Sequence, residues 1–368
     1  MKTRTLTILG LAIVVGLLVA CGGGGSGGGG GGNNPPPPPP TLDEQLRAVI
    51  AAKGLTGDPA TGRGLPSINE PVAQLGKLLF FSKSLSGDMD TACASCHHPA
   101  LGGGDALAMP VGTGAIDPDV VGPGRQRADG LPNVGRHSQS VFNVGLYDAA
   151  MFWDSRVESI GKEAGQNGAG SGIRTPESAL HVADPLVAPG SSLVAAQARF
   201  PVVVPEEMLG SFMPGASPEA VRQRLAERIG DYGAGAGELP NNNWLAAFQA
   251  AFASAAPAEQ LITFDNIALA LGEYQRSMVF VDTPWKAFVE GDTSAMSDAA
   301  QRGALLFFRD YDEGGANCAS CHSGDFFSDE GFHVIAMPQI GRGKGDGATG
   351  TDDFGRFRET GNAADMDA

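Results

Sequence analysis

The pentapeptide Cys-Ala-Ser-Cys-His occurs twice in this chain, at Cys93–His97 and again at Cys318–His322. The chain holds five cysteines; four lie in these two pairs and the fifth is Cys21. In an exported protein, four cysteines would ordinarily form two disulfides. The histidine that directly follows each pair indicates a different use of the thiols.

A Cys-x-x-Cys-His motif is typical of covalent haem attachment. Two thiols separated by two residues on a helical turn reach the two vinyl groups of one porphyrin, and the next histidine binds the iron. A zinc site has no need of a histidine at that position in both motifs, and a thioredoxin-type pair follows a strand and needs no histidine. We therefore predict two covalently bound haems c. The predicted attachment residues are Cys93, Cys96, Cys318 and Cys321, and the predicted iron ligands are His97 and His322.

Both motifs belong to an internal repeat. The segment Gly76-Lys-Leu-Leu-Phe-Phe81 ends 11 residues before the first motif, and Gly303-Ala-Leu-Leu-Phe-Phe308 ends 9 residues before the second. An apolar helix end, a polar loop and a Cys-x-x-Cys-His turn thus occur twice. This pattern indicates a duplicated module.

Apolar residues at helical spacing dominate the remainder of the chain. Residues that favour helix N-caps precede four such segments: Thr41, Ser217, Thr263 and Ser297. Alternating strand patterns are scarce, and one short β-branched run, 201–205, is bounded by prolines. We predict a mostly α-helical protein with long Gly- and Pro-rich loops.

We expect two cytochrome c-like haem domains. The N-terminal domain spans residues 41–281 and the C-terminal domain spans 282–368, with the boundary near Val281. Only 46 residues follow His322.

The first 40 residues are expected to be a targeting segment and a tether. Residues 1–20 have a positive start and an apolar stretch, as in a signal peptide. The stretch ends with Leu-Val-Ala-Cys21, which resembles the lipobox of bacterial lipoproteins. Cys21 is therefore predicted to be acylated. A plain signal peptide is the alternative. Residues 21–40 continue as a Gly-rich and then Pro-rich tether. We expect a periplasmic protein tethered by a lipid anchor to the outer membrane.

The formal net charge of −16 argues against a nucleic-acid partner, because phosphates would repel the protein. The same charge is compatible with docking of a basic partner protein. The alternative, that acidity only keeps the protein soluble, stays open.

Three features between the motifs point to a known family: Asn143, the segment Phe152-Trp-Asp-Ser-Arg156, and Glu207-Met208. Together with the two Cys-x-x-Cys-His motifs, they resemble the bacterial di-haem cytochrome c peroxidase family, which includes MauG-type oxidases. The resemblance covers roughly residues 66–364. The Phe-Trp-Asp-x-Arg segment between two such motifs is the most specific part of it.

This resemblance implies a role for each haem. The haem on His97 would be the peroxidatic one, and the haem on His322 would transfer electrons. Trp153 would be an electron relay between them, although a core aromatic is the alternative. Glu207 would be the distal acid–base residue, with the neighbouring Glu206 leaving the choice open. A carboxylate held over the iron can move a proton from the near oxygen of peroxide to the far one.

The first haem site departs from the family pattern in one respect. Peroxidases of this family carry a histidine in a loop after the first motif, whereas residues 117–135 contain none. The N-terminal haem is therefore expected to be five-coordinate and ready to react, with His137 as an alternative distal ligand. The family also binds calcium through an asparagine near this point. A calcium ion therefore remains an open expectation here.

The second haem site departs in another respect. The segments that supply the second ligand of the C-terminal haem in this family do not occur in the chain. The resemblance therefore implies that the second domain is incomplete, as in a truncated or interrupted gene product, with part of its apolar surface uncovered. Met296 and Met337 could bind iron in principle, and neither is favoured. We expect the first haem to be held properly and the second to lack its sixth ligand.

The resemblance implies a di-haem peroxidase, an oxidoreductase that reduces hydrogen peroxide to water. Its electrons would come from a small c-type cytochrome or a cupredoxin in the periplasm. One rival is a MauG-like oxidase that acts on a protein or an organic substrate. Another is a non-enzymatic electron-transfer cytochrome with two haems. A homodimer is left open.

Overall fold

The computed structural model describes residues 37–168, 170–335, 338–339, 341 and 343–365. The predicted signal peptide, the acylation site Cys21 and most of the tether lie outside the described residues. The described part contains eleven α-helices: α1 Leu42–Lys53, α2 Pro71–Phe80, α3 Cys93–Cys96, α4 Leu193–Gln197, α5 Pro218–Gly230, α6 Trp244–Phe252, α7 Ala258–Leu261, α8 Phe264–Arg276, α9 Pro284–Val289, α10 Asp298–Phe308 and α11 Phe357–Thr360. The prediction of a mostly α-helical protein is confirmed.

One small antiparallel sheet was not anticipated from the sequence. It has three short strands in the order β1 Ala150–Met151, β2 Val157–Ser159 and β3 Ile173–Arg174. Strands of two or three residues are too short to show an alternating pattern. Among the described residues, no helix is both long and apolar enough to span a bilayer.

The predicted helix starts are confirmed. Thr41 caps α1 in a reciprocal capping box with Glu44, and the side chains of Ser217, Thr263 and Ser297 accept hydrogen bonds from the first turns of α5, α8 and α10. Gly54 ends α1 in the left-handed conformation. The proline-bounded run 201–205 is not a strand but a 3₁₀ turn that leads into a π-helical turn, Pro205–Leu209.

The main core forms where α2 crosses α8. Gly76 lies so close to α8 that an added Cβ would be 1.8 Å from the Ala270 carbonyl oxygen and 2.8 Å from the Tyr274 Cβ. The neighbouring Leu79 and Phe80 are buried against the same helix. This contact places the loop after α2, which carries the first Cys-x-x-Cys-His motif, on the core.

The repeated helix α10 buries the opposite face from α2. In α2 the core side is formed by Gly76, Leu79 and Phe80, and Leu78 and Phe81 are exposed. In α10 the buried and exposed positions are exchanged. Leu305 and Phe308, which match the exposed Leu78 and Phe81, are only 6% and 2% exposed, whereas Leu306, which matches the buried Leu79, is 53% exposed. The buried face of α10 packs against α1 in a separate cluster with Leu46, Ile50 and Phe288. The same sequence unit is therefore used in two different packing environments.

Helix α1 therefore packs with the C-terminal part of the chain, although it precedes the first motif in sequence. The described residues from Thr41 onward form one compact unit. Asp325, in the loop after the second motif, accepts hydrogen bonds from the backbone N–H groups of Thr56 and Gly57. The Glu330 carboxylate accepts hydrogen bonds from the backbone N–H groups of Asp148 and Ala149. The two expected domains and their boundary near Val281 stay a prediction.

Substituting the two glycines of the repeat should give opposite results. Gly76→Ala places a methyl group against the α8 backbone, so the free energy of unfolding should fall by about 2 kcal/mol or more. At Gly303 an added Cβ meets no atom within 4 Å, and alanine is the better helix former. Gly303→Ala should therefore raise the free energy of unfolding by up to about 1 kcal/mol.

Urea unfolding of the two variants beside the wild type measures both changes. Equal destabilisation by the two substitutions would contradict the α2–α8 packing described here.

Candidate functional site

The first motif lies on the short helix α3 and its C-cap. The backbone N–H of His97 donates to the carbonyl oxygen of Cys93 at 2.9 Å, which places both thiols and the imidazole on one turn. Nδ1 of His97 lies 2.9 Å from the carbonyl oxygen of Gln139 and 3.3 Å from that of Gly103. Donation to these carbonyls places the proton on Nδ1 and leaves Nε2 as the free lone pair. This is the arrangement of a metal-binding histidine that is oriented by its surroundings.

The second motif repeats this geometry. The His322 N–H donates to the Cys318 carbonyl oxygen at 3.0 Å, and Nδ1 of His322 lies 3.1 Å from the carbonyl oxygen of Phe327. Its imidazole ring lies beside Phe307, with 6.2 Å between the ring centroids. The predicted equivalence of the two motifs therefore extends to the orientation of their histidines. Met296 packs into the cluster around α1 and α10, and Met337 lies outside the described residues.

A cavity of about 760 Å³ opens beside the first motif. Its walls come from four parts of the chain: residues 80–156, residues 197–208, helix α8 and residues 338–354. The motif of Cys318 does not line it. The wall residues used below are Cys93, Cys96, His97, Arg136, His137, Trp153, Arg156, Gln197, Glu207 and Lys344. The structure thus brings the predicted residues Cys93, Cys96, His97, Trp153 and Glu207 together around one space.

Burial controls the chemistry of the first thiol pair. The thiols of Cys93 and Cys96 are not bonded to each other, and the surface they expose faces the cavity. Burial raises the pKa of each thiol to about 12. Burial also lowers the pKa of His97, so its imidazole is neutral at pH 7. Such protonated thiols are poor redox nucleophiles, which disfavours a thioredoxin-type role.

Glu207 reaches the cavity from the π-helical turn Pro205–Leu209. π-helical turns are rare and frequently occur at functional sites. The backbone of this turn is held in place by the loop that follows the first motif, because the Glu206 carbonyl oxygen accepts from the N–H of Thr113 and the side chain of Asn133. The side chain of Glu207 lines the cavity, whereas Glu206 does not. This difference between neighbours was not readable from the sequence.

Trp153 lies at the edge of the cavity and is 51% exposed. The guanidinium carbon of Arg136 lies 5.0 Å from its ring centroid. Gly355 also contacts it: a Cβ there would lie 3.0 Å from Cη2 of the indole, and the φ of +57° disfavours other residues. The indole therefore bridges the first cavity and the segment that follows the second motif.

Arg136 joins three distant segments through ion pairs. Its Nε and Nη2 donate to the two carboxylate oxygens of Asp353 at 2.6 and 2.7 Å, and its Nη1 donates to Asp154. Arg156 adds a second ion pair to Asp154. Burial alone would raise the pKa of Asp154, but Arg156 and Arg136 outweigh burial and lower it. Arg136 likewise lowers the pKa of Asp353 against its burial.

Two more ion pairs fix the last described segment to the body of the protein. Arg356 pairs with Glu158 at 2.9 Å, and Glu359 pairs with Arg174 at 3.0 Å. Both partners in the body belong to the small sheet. Lys344 and Asp353 lie in the same segment, just before these ion pairs. The ion pairs therefore hold the part of the segment that lines the cavity.

His137 also lines the cavity, with Nδ1 at 2.9 Å from the carbonyl oxygen of Leu107. Its neighbours Ser138 and Gln139 contact Nδ1 of His97, which places this segment behind the His97 ring. Asn143 exchanges hydrogen bonds with the backbone of Phe280. Among the described residues, no group of three or more His, Cys, Asp or Glu side chains could hold a metal ion.

A family model for di-haem cytochrome c peroxidases matches residues 70–294. This chain belongs to the di-haem cytochrome c peroxidase family. Two curated relatives of this di-haem family support the match. The chain is 30% identical over 282 residues to the methylamine utilization protein MauG of Methylorubrum extorquens, covering 76% of this chain and 57% of that protein. It is 29% identical over 262 residues to the cytochrome c551 peroxidase of Pseudomonas aeruginosa, covering 71% of this chain and 53% of that protein.

This member of the di-haem peroxidase family spans about half the length of the curated relatives it matches. Its fold is similar to that of a solved MauG-like protein associated with microbial copper homeostasis. The TM-score is 0.50 and the identity 21%, over 83% of this chain and 71% of that one. The family model and the two relatives confirm the expected family.

The first site fits the haem that the family implies. The cavity has the size typical of small-molecule and cofactor pockets. Two unpaired thiols on one helical turn and an imidazole with a free Nε2 form one wall, which matches the donor set for a c-type haem. Cys93, Cys96 and His97 are the residues that would hold it.

Three cavity residues were missed by sequence reasoning: Gln197, Arg136 and Lys344. Gln197 is the last residue of α4, and neither its spacing nor its neighbours signal a site. Arg136 and Lys344 lie in irregular segments, where no periodic pattern predicts which way a side chain points. Their partners could be found only from the fold.

The Asp154 ion pairs predict a measurable pH dependence. The pKa of the Asp154 carboxyl is lower in the folded state than in the unfolded state. Its contribution to the free energy of unfolding is therefore complete above the unfolded pKa of about 3.9, and it is lost as the pH falls through the folded pKa. Asp154→Asn leaves two arginines short of a partner and should lower the free energy of unfolding at pH 7 by about 3 kcal/mol. The variant should also lose less stability than the wild type when the pH falls below about 4.

Urea unfolding at pH 7 and at acidic pH measures this effect. Asp312→Asn, at an exposed carboxylate, is the matched control and should change the free energy of unfolding by less than about 0.5 kcal/mol. Similar losses in the two variants at pH 7 would contradict the ion-pair network.

Proposed function

We propose that this protein is a di-haem c-type peroxidase that reduces hydrogen peroxide to water at the cavity beside the first motif. Peroxide takes up two electrons and two protons and leaves as two water molecules. The observation that supports this proposal most directly is the placement of Glu207 in one cavity with Cys93, Cys96 and His97. A purely electron-transferring cytochrome has no need of a carboxylate in that position.

The charged surroundings of the cavity favour a central position for Glu207. The pKa of Cys96 is raised by burial and then by Asp105, and Glu207 adds to that effect. Glu207 also acts on Lys344, on the wall formed by the last described segment. Glu207 is therefore within electrostatic range of both the Cys96 thiol and the Lys344 ammonium group.

A haem c bound by Cys93, Cys96 and His97 supplies an iron that binds peroxide and exchanges electrons with it. Glu207 accepts a proton from the near oxygen of peroxide and delivers it to the far oxygen, which leaves as water. The Gln139 carbonyl keeps the Nδ1 proton of His97 in place and so increases electron donation by Nε2. The apolar part of the cavity limits access of bulk water.

Electrons reach the first site from the second motif in this proposal, with Trp153 as the relay. The indole touches both the first cavity and the segment after the second motif. Cys318, Cys321 and His322 would hold a second haem c, which would supply the redox centre that takes electrons from a small c-type cytochrome or a cupredoxin. We place the protein in the periplasm, anchored by a lipid on Cys21. His137 is not assigned as a distal ligand, because its segment lies behind His97.

A MauG-like oxidase is the second candidate function. It is favoured by the lack of a histidine in residues 117–135, since a site without that ligand is open without reductive activation. The similarity to the methylamine utilization protein MauG is of the same order as that to the peroxidase. Turnover of a protein or organic substrate in preference to a small reductant would favour this function.

Glu207→Gln tests the acid–base role. The amide cannot accept the proton, so the second-order rate of reaction with hydrogen peroxide should fall by about 10²- to 10⁴-fold while the haem content is unchanged. Stopped-flow absorption in the Soret region measures this rate.

The matched control is Glu206→Gln, which removes the same charge from the neighbouring residue that does not line the cavity. Its peroxide rate should stay within about threefold of the wild type. An unchanged rate in Glu207→Gln, or an equal loss in both variants, would remove Glu207 from the mechanism.

A further inference from the structure

Lys344 occupies an unusual position for a lysine. It is half-buried and lines the cavity beside the first motif. Among the described residues, its ammonium group has no ion pair and no hydrogen bond, whereas Arg136 and Arg156 on the same wall are paired with Asp154 and Asp353. A partly desolvated, unpaired ammonium group is unfavourable unless an anion is bound beside it.

The backbone holds Lys344 in this position. Gly135 and Gly343 touch so closely that a Cβ on Gly135 would lie 2.3 Å from the Gly343 carbonyl oxygen. The same added Cβ would lie 3.3 Å from Cδ of Lys344, so the aliphatic part of the lysine runs along Gly135. The Lys344 N–H donates to the Asp352 carbonyl oxygen, and its own carbonyl oxygen accepts from Arg358. These contacts fix the backbone of Lys344 and the path of its side chain.

Lys344 and the thiols line the same cavity from different segments of the chain. The charged groups that shift the pKa of the Cys96 thiol are Asp105, Arg125 and Glu207. The groups that shift the pKa of Lys344 are Arg156, Glu207, Arg136 and Asp154. The thiol and the ammonium group therefore have largely different charged neighbours.

We infer that Lys344, together with Arg136 and Arg156, forms the binding site for the propionate groups of the haem held by Cys93, Cys96 and His97. The two propionates of a haem lie on the edge of the porphyrin away from the vinyl carbons that the thiols bind. A haem attached at one end of the cavity therefore presents two carboxylates to the other end. Lys344 supplies a positive charge that is not paired with either aspartate.

The pairing of the cationic groups supports this assignment. Arg136 and Arg156 form ion pairs with Asp154 and Asp353, whereas the Lys344 ammonium group forms no ion pair with a described residue. Burial lowers the pKa of Lys344, and Arg156 lowers it further. A carboxylate beside the ammonium group would oppose both effects. This inference rests on the haem of the proposed function, but it does not depend on peroxide turnover.

The test is a potentiometric titration of the purified full-length holoprotein and its Lys344→Gln variant, followed by absorption. Loss of a cation beside the haem carboxylates favours the ferric state, so the midpoint potential of the first haem should fall and that of the second should stay unchanged. The titration shows one redox transition for each haem. The transition that is missing in the Cys93→Ser/Cys96→Ser variant is assigned to the first haem. Lys344→Arg, which keeps the charge, should restore most of the potential.

Lys77→Gln is the matched control, because Lys77 is an exposed lysine of α2 outside the cavity. An unmoved transition of the first haem in Lys344→Gln, or an equal shift in Lys77→Gln, would overturn the inference. A change of iron spin state in Lys344→Gln would overturn it as well, since it would place Lys344 at the iron.

If Lys344→Gln does not mature, resonance Raman spectra of Lys344→Arg provide the second measurement. The propionate bending band should shift, because the donor atoms beside the carboxylate change. An unshifted band would contradict the assignment. Wild-type protein that holds haem but fails to react with peroxide would refute the proposed peroxidase function and leave the propionate site standing.

Discussion

The ion pairs of Arg136 with Asp154 and Asp353 are the contacts on which the site depends. They join the segment behind His97, the Phe-Trp-Asp-x-Arg segment and the segment that follows the second motif. The guanidinium also stacks on Trp153, so one side chain places the indole and closes the wall of the cavity. Each aspartate is buried, and removing one leaves a buried charge uncompensated. The cavity is therefore held by electrostatics at one end and by the apolar α2–α8 core at the other.

The two Cys-x-x-Cys-His motifs share their local geometry but differ in their surroundings. Both histidines orient Nδ1 toward a backbone carbonyl, which is a property of the turn itself. Around the first motif, the loops after α2 and α4 and the last described segment enclose a cavity with Glu207. Around the second, α10 turns Leu306 to the surface, and the aromatic ring of Phe307 lies beside the imidazole. The proposed division into a reactive and an electron-transferring haem follows from this difference in enclosure.

Much of the architecture could be predicted because its signals are local. Helix caps such as Thr41, the repeated motifs and the grouping of Cys93, Cys96 and His97 on one turn all depend on residues close in sequence. The inverted faces of α2 and α10 could not be predicted, because two similar helices are distinguished only by what packs on them. Lys344 was missed for a related reason: its direction depends on a close contact between Gly135 and Gly343, two glycines with no shared pattern.

The proposed function requires a haem at the first motif that is open to peroxide. The measurement that tests this requirement is EPR and optical spectroscopy of the ferric protein before and after one equivalent of hydrogen peroxide. We expect a high-spin ferric signal that decreases when peroxide is added, and we expect this peroxide-sensitive signal to be lost in Cys93→Ser/Cys96→Ser. Two low-spin haems that do not respond to peroxide would contradict it and would favour a non-enzymatic electron-transfer protein.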